Sequence, residues 1–163
     1  MYKGYYESPI GLLEIICNDK EVISIYSIIK FEKENPNLVC QKAKEELKRY
    51  FDGEIREFKM PIKLSGTEFQ NKVWRELLKI PFEKIISYQE LAILCGKPKA
   101  VRAVANAVGA NKLLVVVPCH RIIGSNKTLT GFAAGLEAKV KLLNLEGFQI
   151  EIKKDLRRSI VFV

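Results

Sequence analysis

Residues 115–123 read Val-Val-Val-Pro-Cys-His-Arg-Ile-Ile, and no other stretch limits the fold and chemistry of this chain as tightly. Three consecutive β-branched residues are the mark of a buried strand. Pro118 must end such a strand, because it has no N–H for a ladder. The chain is therefore expected to bring a thiol (Cys119), an imidazole (His120) and a guanidinium (Arg121) to one strand end beside the core. His120 is the sole histidine among 163 residues, so any imidazole chemistry must be done there. Taken alone, a Cys-His pair is more often a small core residue beside a surface one. The rest of the chain bears on that choice.

The first 60 residues carry strand signals. Residues 2–8 and 11–17 flank the turn sequence Ser8-Pro9-Ile10-Gly11, and 22–28 alternates with period two. Asn35-Pro36 has the form of an N-cap with Pro at the first helical position, opening a helix that Asp52-Gly53 ends. A short strand near 55–60 is expected to close this region. Beyond Leu64-Ser65-Gly66 the pattern turns helical. Thr67 can cap a helix through Leu78 with Phe69, Val73, Trp74 and Leu77 on its apolar face. Ser87 and Glu90 have capping-box spacing before a short helix that Gly96 ends. Pro98 opens another helix, 98–108, and two short helices joined by a tight Gly-containing turn read as helix-turn-helix. A last helix spans about 135–146, and a basic tail follows. The chain is thus expected to be α+β. A small N-terminal antiparallel sheet with one helix (1–64) precedes a mostly helical, winged helix-turn-helix-like domain (65–163).

The net charge of +8 lies in one half of the chain. Residues 1–62 hold 10 basic and 11 acidic side chains, and residues 63–163 hold 17 and 8. A basic field confined to the half with the Cys-His pair suits a polyanion such as nucleic acid. No stretch approaches the ~20 apolar residues that span a bilayer, and residues 1–7 lack the apolar core of a secretory signal. A cytoplasmic protein is expected, with no membrane partner. Cys17, Cys40 and Cys95 are far apart in sequence and sit in apolar runs, as small buried residues do. With one histidine and no C-x-x-C, no zinc ligand set is visible.

Cysteine attacks as thiolate, so Cys119 needs a base or a cation nearby. His120 is the only imidazole available. A base works best when a third group orients it, usually a carboxylate. Glu146 ends a helix with Leu142, Leu143 and Leu145. There it is either a partly buried carboxylate that needs a partner or a frayed end in water. The helix expected over 98–108 is almost all Ala and Val, with Arg102 the one long side chain after Lys99. It can be a buried helix, or a smooth one that enters a groove with a single probe.

Several motifs in order carry a resemblance to the 6-O-alkylguanine-DNA alkyltransferases. They are Gly66-Thr67-Glu68-Phe69-Gln70, Ile86-Ser87-Tyr88-Gln89-Glu90-Leu91-Ala92, Lys99-Ala100-Val101-Arg102-Ala103-Val104, Pro118-Cys119-His120-Arg121 and Leu142-Leu143-Asn144-Leu145-Glu146-Gly147. The resemblance covers about 67–147; the first 60 residues match only in coarse pattern. It implies single-turnover repair of double-stranded DNA, in which the alkyl group of 6-O-methylguanine, and of 4-O-methylthymine, passes to the protein's own cysteine. Cys119 would be the acceptor, His120 its base through a water, and Glu146 the holder of His120. Asn111 would be the hinge between the recognition helix and the Cys segment. Arg102 would fill the place of the extruded base, and Tyr88 would press on the neighbouring phosphate and hydrogen-bond the guanine. Thr67, Ala100, Val101, Ala103 and Arg121 would complete the DNA contacts. Val108, Ile122, Phe132, Ala133, Ala134 and Lys139 would form the base pocket, with the Cys119 and Ile122 carbonyls reading the guanine amine.

Base flipping and minor-groove docking agree with this reading, since an alkyl group inside a duplex is out of reach and the minor groove carries little sequence information. The resemblance implies a monomer without cofactor. Lys112 follows Asn111 where the family often has Pro, which implies a looser hinge. Ala133 and Ala134 stand where relatives often have Ser or Gly, which implies a narrower pocket. The metal site of some relatives needs an N-terminal histidine that is missing here, so no metal is expected. Two other classes remain as alternatives. A winged-helix regulator would need base-reading polar side chains on 99–108, and a cysteine hydrolase would need an oxyanion-hole signal before Cys119.

Overall fold

The computed structural model describes residues 1–162. It contains two compact units: Met1–Ser65 with Lys112–Val116, and Gly66–Asn111 with Val117 onward.

In the first unit, β1 (Tyr2–Ser8), β2 (Gly11–Cys17) and β3 (Val22–Ile28) form an antiparallel meander. Ser8 pairs with Gly11 across the first turn, and Gly11 sits at φ 109°, where a side chain would strain the backbone. Leu13, Ile15 and Cys17 alternate onto the buried face of β2. Helix α1 (Leu38–Phe51) buries Cys40, Ala43, Leu47 and Tyr50, whose spacing of three and four residues puts them on one face.

The start of α1 differs from the sequence expectation. Its cap is Asn37, whose side chain accepts from the Cys40 N–H at 3.0 Å. Asn35 is spent on β1 instead: its side chain accepts from the Lys3 N–H at 3.0 Å, and its own N–H donates to the Lys3 carbonyl at 3.0 Å. The strand expected near 55–60 does not form. The Lys59 N–H donates to the carboxylate of Glu46 on α1, and the Phe58 ring lies 5.2 Å from that of Tyr50. The segment is therefore bound to helix side chains rather than to a ladder.

The three valines are also not a strand. Ile25 N–H donates to the Lys112 carbonyl at 2.8 Å, and Leu114 N–H to the Ile25 carbonyl at 3.1 Å, which ties 112–114 to β3. Val115 then turns at φ 71°, and Val116 N–H reaches back to the Leu114 carbonyl at 2.8 Å. A β-branched residue at positive φ is an outlier that surrounding packing must enforce. All three valines are buried, so burial was read correctly from their composition and extension was not.

The second unit opens with α2 (Glu68–Leu78), capped by Thr67 in a reciprocal box with Gln70. Val73, Trp74 and Leu77 are its buried residues, with Phe69 only partly covered. Gly66 allows the close approach here, since a Cβ on it would lie 2.5 Å from the Trp74 ring. Trp74 Nε1 donates to the Ala107 carbonyl at 2.8 Å, which locks α2 to α4 (Val101–Gly109).

Between them, the two-residue β4 (Ile86–Ser87) leads into α3 (Tyr88–Leu94), capped by the Ser87–Glu90 box. Gly96 at φ 70° ends α3: its N–H bonds the Ile93 carbonyl and the Lys97 N–H that of Ala92, a Schellman arrangement. Helix α4 begins at 101 rather than 98. Residues 97–100 form a turn closed by Ala100 N–H on the Lys97 carbonyl, and Ala100 has no side-chain cap to start a helix earlier.

After a single 3-10 turn, Cys119–Arg121, β5 (Ile122–Ile123) pairs in parallel with β4. Helix α5 (Leu136–Leu145) follows, and Gly147 at φ 100° ends it. The expected tail is structured: β6 (Gln149–Glu151) pairs antiparallel with β7 (Ile160–Phe162), and Val161 and Phe148 pack with Ile123, Leu129 and Leu143.

Candidate active site and nucleic-acid face

Two turns deliver the Cys-His-Arg residues. Cys119 N–H closes on the Val117 carbonyl at 2.8 Å around Pro118, whose φ of −81° and ψ of 63° describe an inverse γ-turn. Arg121 N–H then bonds the Pro118 carbonyl at 3.0 Å, so 119–121 is one tight turn that splays its three side chains.

Asn111, just past α4, is buried and fixes Cys119 from the helix side. Its Nδ2 donates to the Val117 carbonyl at 2.9 Å and to Cys119 Sγ at 3.2 Å. A donor aimed at sulfur favours the thiolate. Burial pushes the Cys119 thiol up, while Asn111 and the charge of Lys139 pull it down.

His120 is fully buried, and its Nε2 lies 2.7 Å from Glu146 Oε2. Burial holds its pKa below the ordinary imidazole value against the pull of Glu146. The neutral ring facing a carboxylate keeps its proton on Nε2, which leaves the lone pair on Nδ1. Nδ1 has no hydrogen-bond partner among the described residues. Glu146 is 1% exposed, so the structure decides for a buried, partnered carboxylate at the end of α5. Burial opposes its ionisation, but His120 and Arg121 outweigh that and bring it down to about 2.

Two expectations change here. Arg121 was expected to touch DNA, yet it is 6% exposed. Its Nε and Nη2 grip the two oxygens of Glu146 at 2.7 and 3.0 Å, and Nη1 donates to the Ile80 carbonyl at 2.6 Å. A guanidinium buried on three internal acceptors is poorly placed to reach a phosphate. Lys139 was expected to steady this region and to line the pocket; it is fully buried and does not line the cleft. Its Nζ donates to the carbonyls of Ile122 and Leu129 at 2.6 Å each and of Gly131 at 3.2 Å. Burial brings its pKa down to about 8.

Cys119 opens on a cleft of about 280 Å³ lined by Tyr88, Ala105, Val108, Gly109, Gly131, Phe132 and Ala133. That is at the small end of the ~300–1,000 Å³ usual for ligand pockets, a volume suited to one flat ring system. The Phe132 ring stands edge-on to His120 with centroids 6.5 Å apart. Tyr88 Oη lies 3.3 Å from Thr130 Oγ1, and burial raises its pKa. Of the expected lining, Val108, Phe132 and Ala133 face the cleft, whereas Ile122, Ala134 and Lys139 are not among its lining residues. The Ile122 carbonyl already accepts from Lys139, and the Cys119 carbonyl from the Ile122 N–H. Ala105, Gly109 and Gly131 were missed; small residues give no chemical signal of their own.

Helix α4 turns Val104, Ala107 and Val108 inward and leaves Arg102, Ala103 and Asn106 exposed. Ala100 and Val101, at its start, are half-buried. Thr67 is exposed, but its hydroxyl is engaged by the α2 cap. Lys112, after Asn111, does not hang free: its Nζ donates to the Ser65 carbonyl at 2.9 Å, within the first unit.

Comparison with known proteins agrees with this geometry. The DNA-binding domain of 6-O-methylguanine DNA methyltransferase matches residues 68–148, and the ribonuclease-like domain of the same proteins matches 1–64. The chain is 43% identical over 158 residues to the methylated-DNA–protein-cysteine methyltransferase of Haemophilus influenzae, covering 90% of this chain and 86% of that one. The enzyme of the same name from Methanosarcina acetivorans is 40% identical, with 90% and 99% covered. Among solved structures, Mycobacterium tuberculosis OGT in complex with DNA superposes with a TM-score of 0.82 at 36% identity, covering 90% of this chain and 93% of that one.

The chain is thus a two-part protein, a ribonuclease-like domain followed by a DNA-binding domain that carries a buried Cys-His-Glu site. It belongs to the 6-O-methylguanine DNA methyltransferase family.

Proposed function

We propose that this protein repairs double-stranded DNA by moving the alkyl group of 6-O-methylguanine, and of 4-O-methylthymine, onto Cys119, once per molecule. The observation that carries the reading is that Cys119 lines a cleft of about 280 Å³, with Asn111 donating to its Sγ and the His120–Glu146 pair next in the chain.

In the proposed reaction, His120 Nδ1 takes the thiol proton through a water, and the thiolate attacks the methyl carbon in line. The S–C bond forms as the C–O bond breaks. The guanine leaves as an anion that accepts a hydrogen bond from the Tyr88 hydroxyl at the cleft wall and takes up a proton from water, while His120 returns its proton to solvent. The product thioether has no route back to a thiol, so turnover stops. Asn111 holds both Cys119 and the Val117 carbonyl, which fits it as the hinge between α4 and the Cys turn.

An alkylated base reaches this cleft only after leaving the helix stack, at a cost of a few kcal/mol. The exposed surface of α4 is small except for Arg102 and Asn106. That supports close minor-groove docking with Arg102 in the emptied place, and disfavours a sequence-reading regulator. Ala100, Val101, Ala103 and Thr67 border the same approach. A monomer in a reducing cytoplasm suits the four unpaired cysteines.

The test is stoichiometry. Excess methylated duplex should lose one methyl group per protein molecule and no more. Cys119→Ser should bind the duplex normally and remove none. Continued turnover, or transfer by the serine variant, contradicts the proposal.

A further inference from the structure

We propose that Arg121 is a positioning residue of the transfer reaction, which fixes the Glu146 carboxylate so that His120 is held through Nε2 and Nδ1 is left as the open nitrogen of the ring. This rests on the reading of Cys119 as acceptor and His120 as base.

A carboxylate as buried as Glu146 requires charge compensation. A neutral His120 gives it a hydrogen bond but no charge. The compensating cation is Arg121, held in a two-pronged grip on both carboxylate oxygens, a geometry that fixes orientation as well as charge. The guanidinium is itself anchored. Nη1 donates to the Ile80 carbonyl just past the end of α2, and the Phe82 ring covers it with its centroid 5.9 Å from Cζ. Oε2 is shared, accepting from Arg121 Nη2 and lying 2.7 Å from His120 Nε2. Since His120 and Arg121 are successive residues of one tight turn, their three bonds to Glu146 lock the rotation of that turn, and with it the facing of Nδ1.

The groups acting on His120 are Glu146, Arg121 and Lys139, with Cys119 adjacent and Tyr88 across the cleft. Glu146 favours the imidazolium, and the two cations disfavour it. Removing the charge of Arg121 leaves Glu146 free to draw a proton onto the pair. The base is then occupied at pH values where it is vacant in the native protein. The acid-side limb of transfer, which needs neutral His120, must move to higher pH.

The single histidine makes this readable directly: one imidazole spectrum reports its tautomer and its titration without any reaction. Arg121→Met keeps most of the volume and removes the charge, and Arg121→Lys keeps the charge but loses the fork. For Arg121→Met we expect His120 to titrate at higher pH, the acid limb to move the same way, and transfer at neutral pH to fall roughly tenfold, a part of the ~10²–10⁴ that general-base catalysis supplies. Arg121→Lys should show the same changes in smaller measure. Should Arg121→Met not fold, the lysine variant decides alone.

A folded variant with the native histidine spectrum and native pH profile overturns the proposal. So does a uniform loss of DNA affinity with a salt slope reduced by about one, the mark of a phosphate contact. Failure of the native protein to methylate Cys119 would instead remove the underlying reading, which separates the two.

Discussion

Replacing Lys139 with Met should change the pH dependence of stability in a direction fixed by burial. In the folded protein the ammonium is enclosed and titrates near 8, against an ordinary 10.5. Such a difference of 2.5 units corresponds to about 3 kcal/mol at ~1.4 kcal/mol per unit. The folded pKa is the lower one. Between pH 8 and 10.5 the unfolded chain holds the proton and the folded chain does not, so stability rises with pH across that window. Below pH 8 both states are protonated and the full burial cost stands.

Opposing that cost are the bonds to the carbonyls of Ile122, Leu129 and Gly131. Left unmet, each costs about 1–3 kcal/mol. Three such losses come to about 3–9 kcal/mol against a burial cost of about 3, so Lys139→Met should lower stability at neutral pH by between about 0 and 6 kcal/mol. The informative quantity is the slope. Urea unfolding at a series of pH values should show the native protein gaining up to about 3 kcal/mol on Lys139→Met between pH 7 and 10.5. Taking the difference between the two proteins removes the contribution of the tyrosines, which titrate in both. A pH-independent difference would refute the assignment of a strained, buried cation. The variant should also transfer more slowly, because a charge favouring the Cys119 thiolate is gone.

His120→Phe and Glu146→Gln should each slow single-turnover transfer, and the double variant should be little slower than the worse single one, since members of one relay are not additive; losses that multiply would separate them. Arg102→Ala should impair reaction with methylated duplex far more than with free methylated guanine, because only the duplex requires flipping, and Arg102→Lys should not restore it fully; equal loss on the free base would remove the finger role. Trp74→Phe should cost about 0.5–1.5 kcal/mol in denaturant unfolding by removing one of two donors to the Ala107 carbonyl, which keeps the Ala110 N–H at 3.2 Å, with Cys119 chemistry unchanged in kind; a neutral substitution would show that this bond does not lock α2 to α4.

Elements governed by local rules were legible in the sequence. The strands 2–8 and 11–17 around their turn, the alternating strand 22–28, and the caps at Thr67 and Ser87 lie where turn signals, alternation and capping chemistry put them. Misreadings arose where a distant partner decided the outcome. The valines of 115–117 have strand composition, but the backbone reverses at Val115 under packing that no local pattern announces. Asn35 could have capped α1, yet β1 claims it. Arg121 looked like a DNA contact because its partner, Glu146, is 25 residues away. One signal was available: Lys139, Leu143 and Glu146 recur at helical spacing on the face α5 buries, so a charged pair on that face required internal partners. The cleft lining escaped notice in part because Ala105, Gly109 and Gly131 act by being small.

The most direct test of the account is peptide mapping after reaction with duplex DNA labelled on the methyl group of 6-O-methylguanine. The account requires the label on the peptide carrying Cys119, at one methyl per molecule, with Cys17, Cys40 and Cys95 unmodified. Label on any of those three buried thiols, or on none, would contradict it.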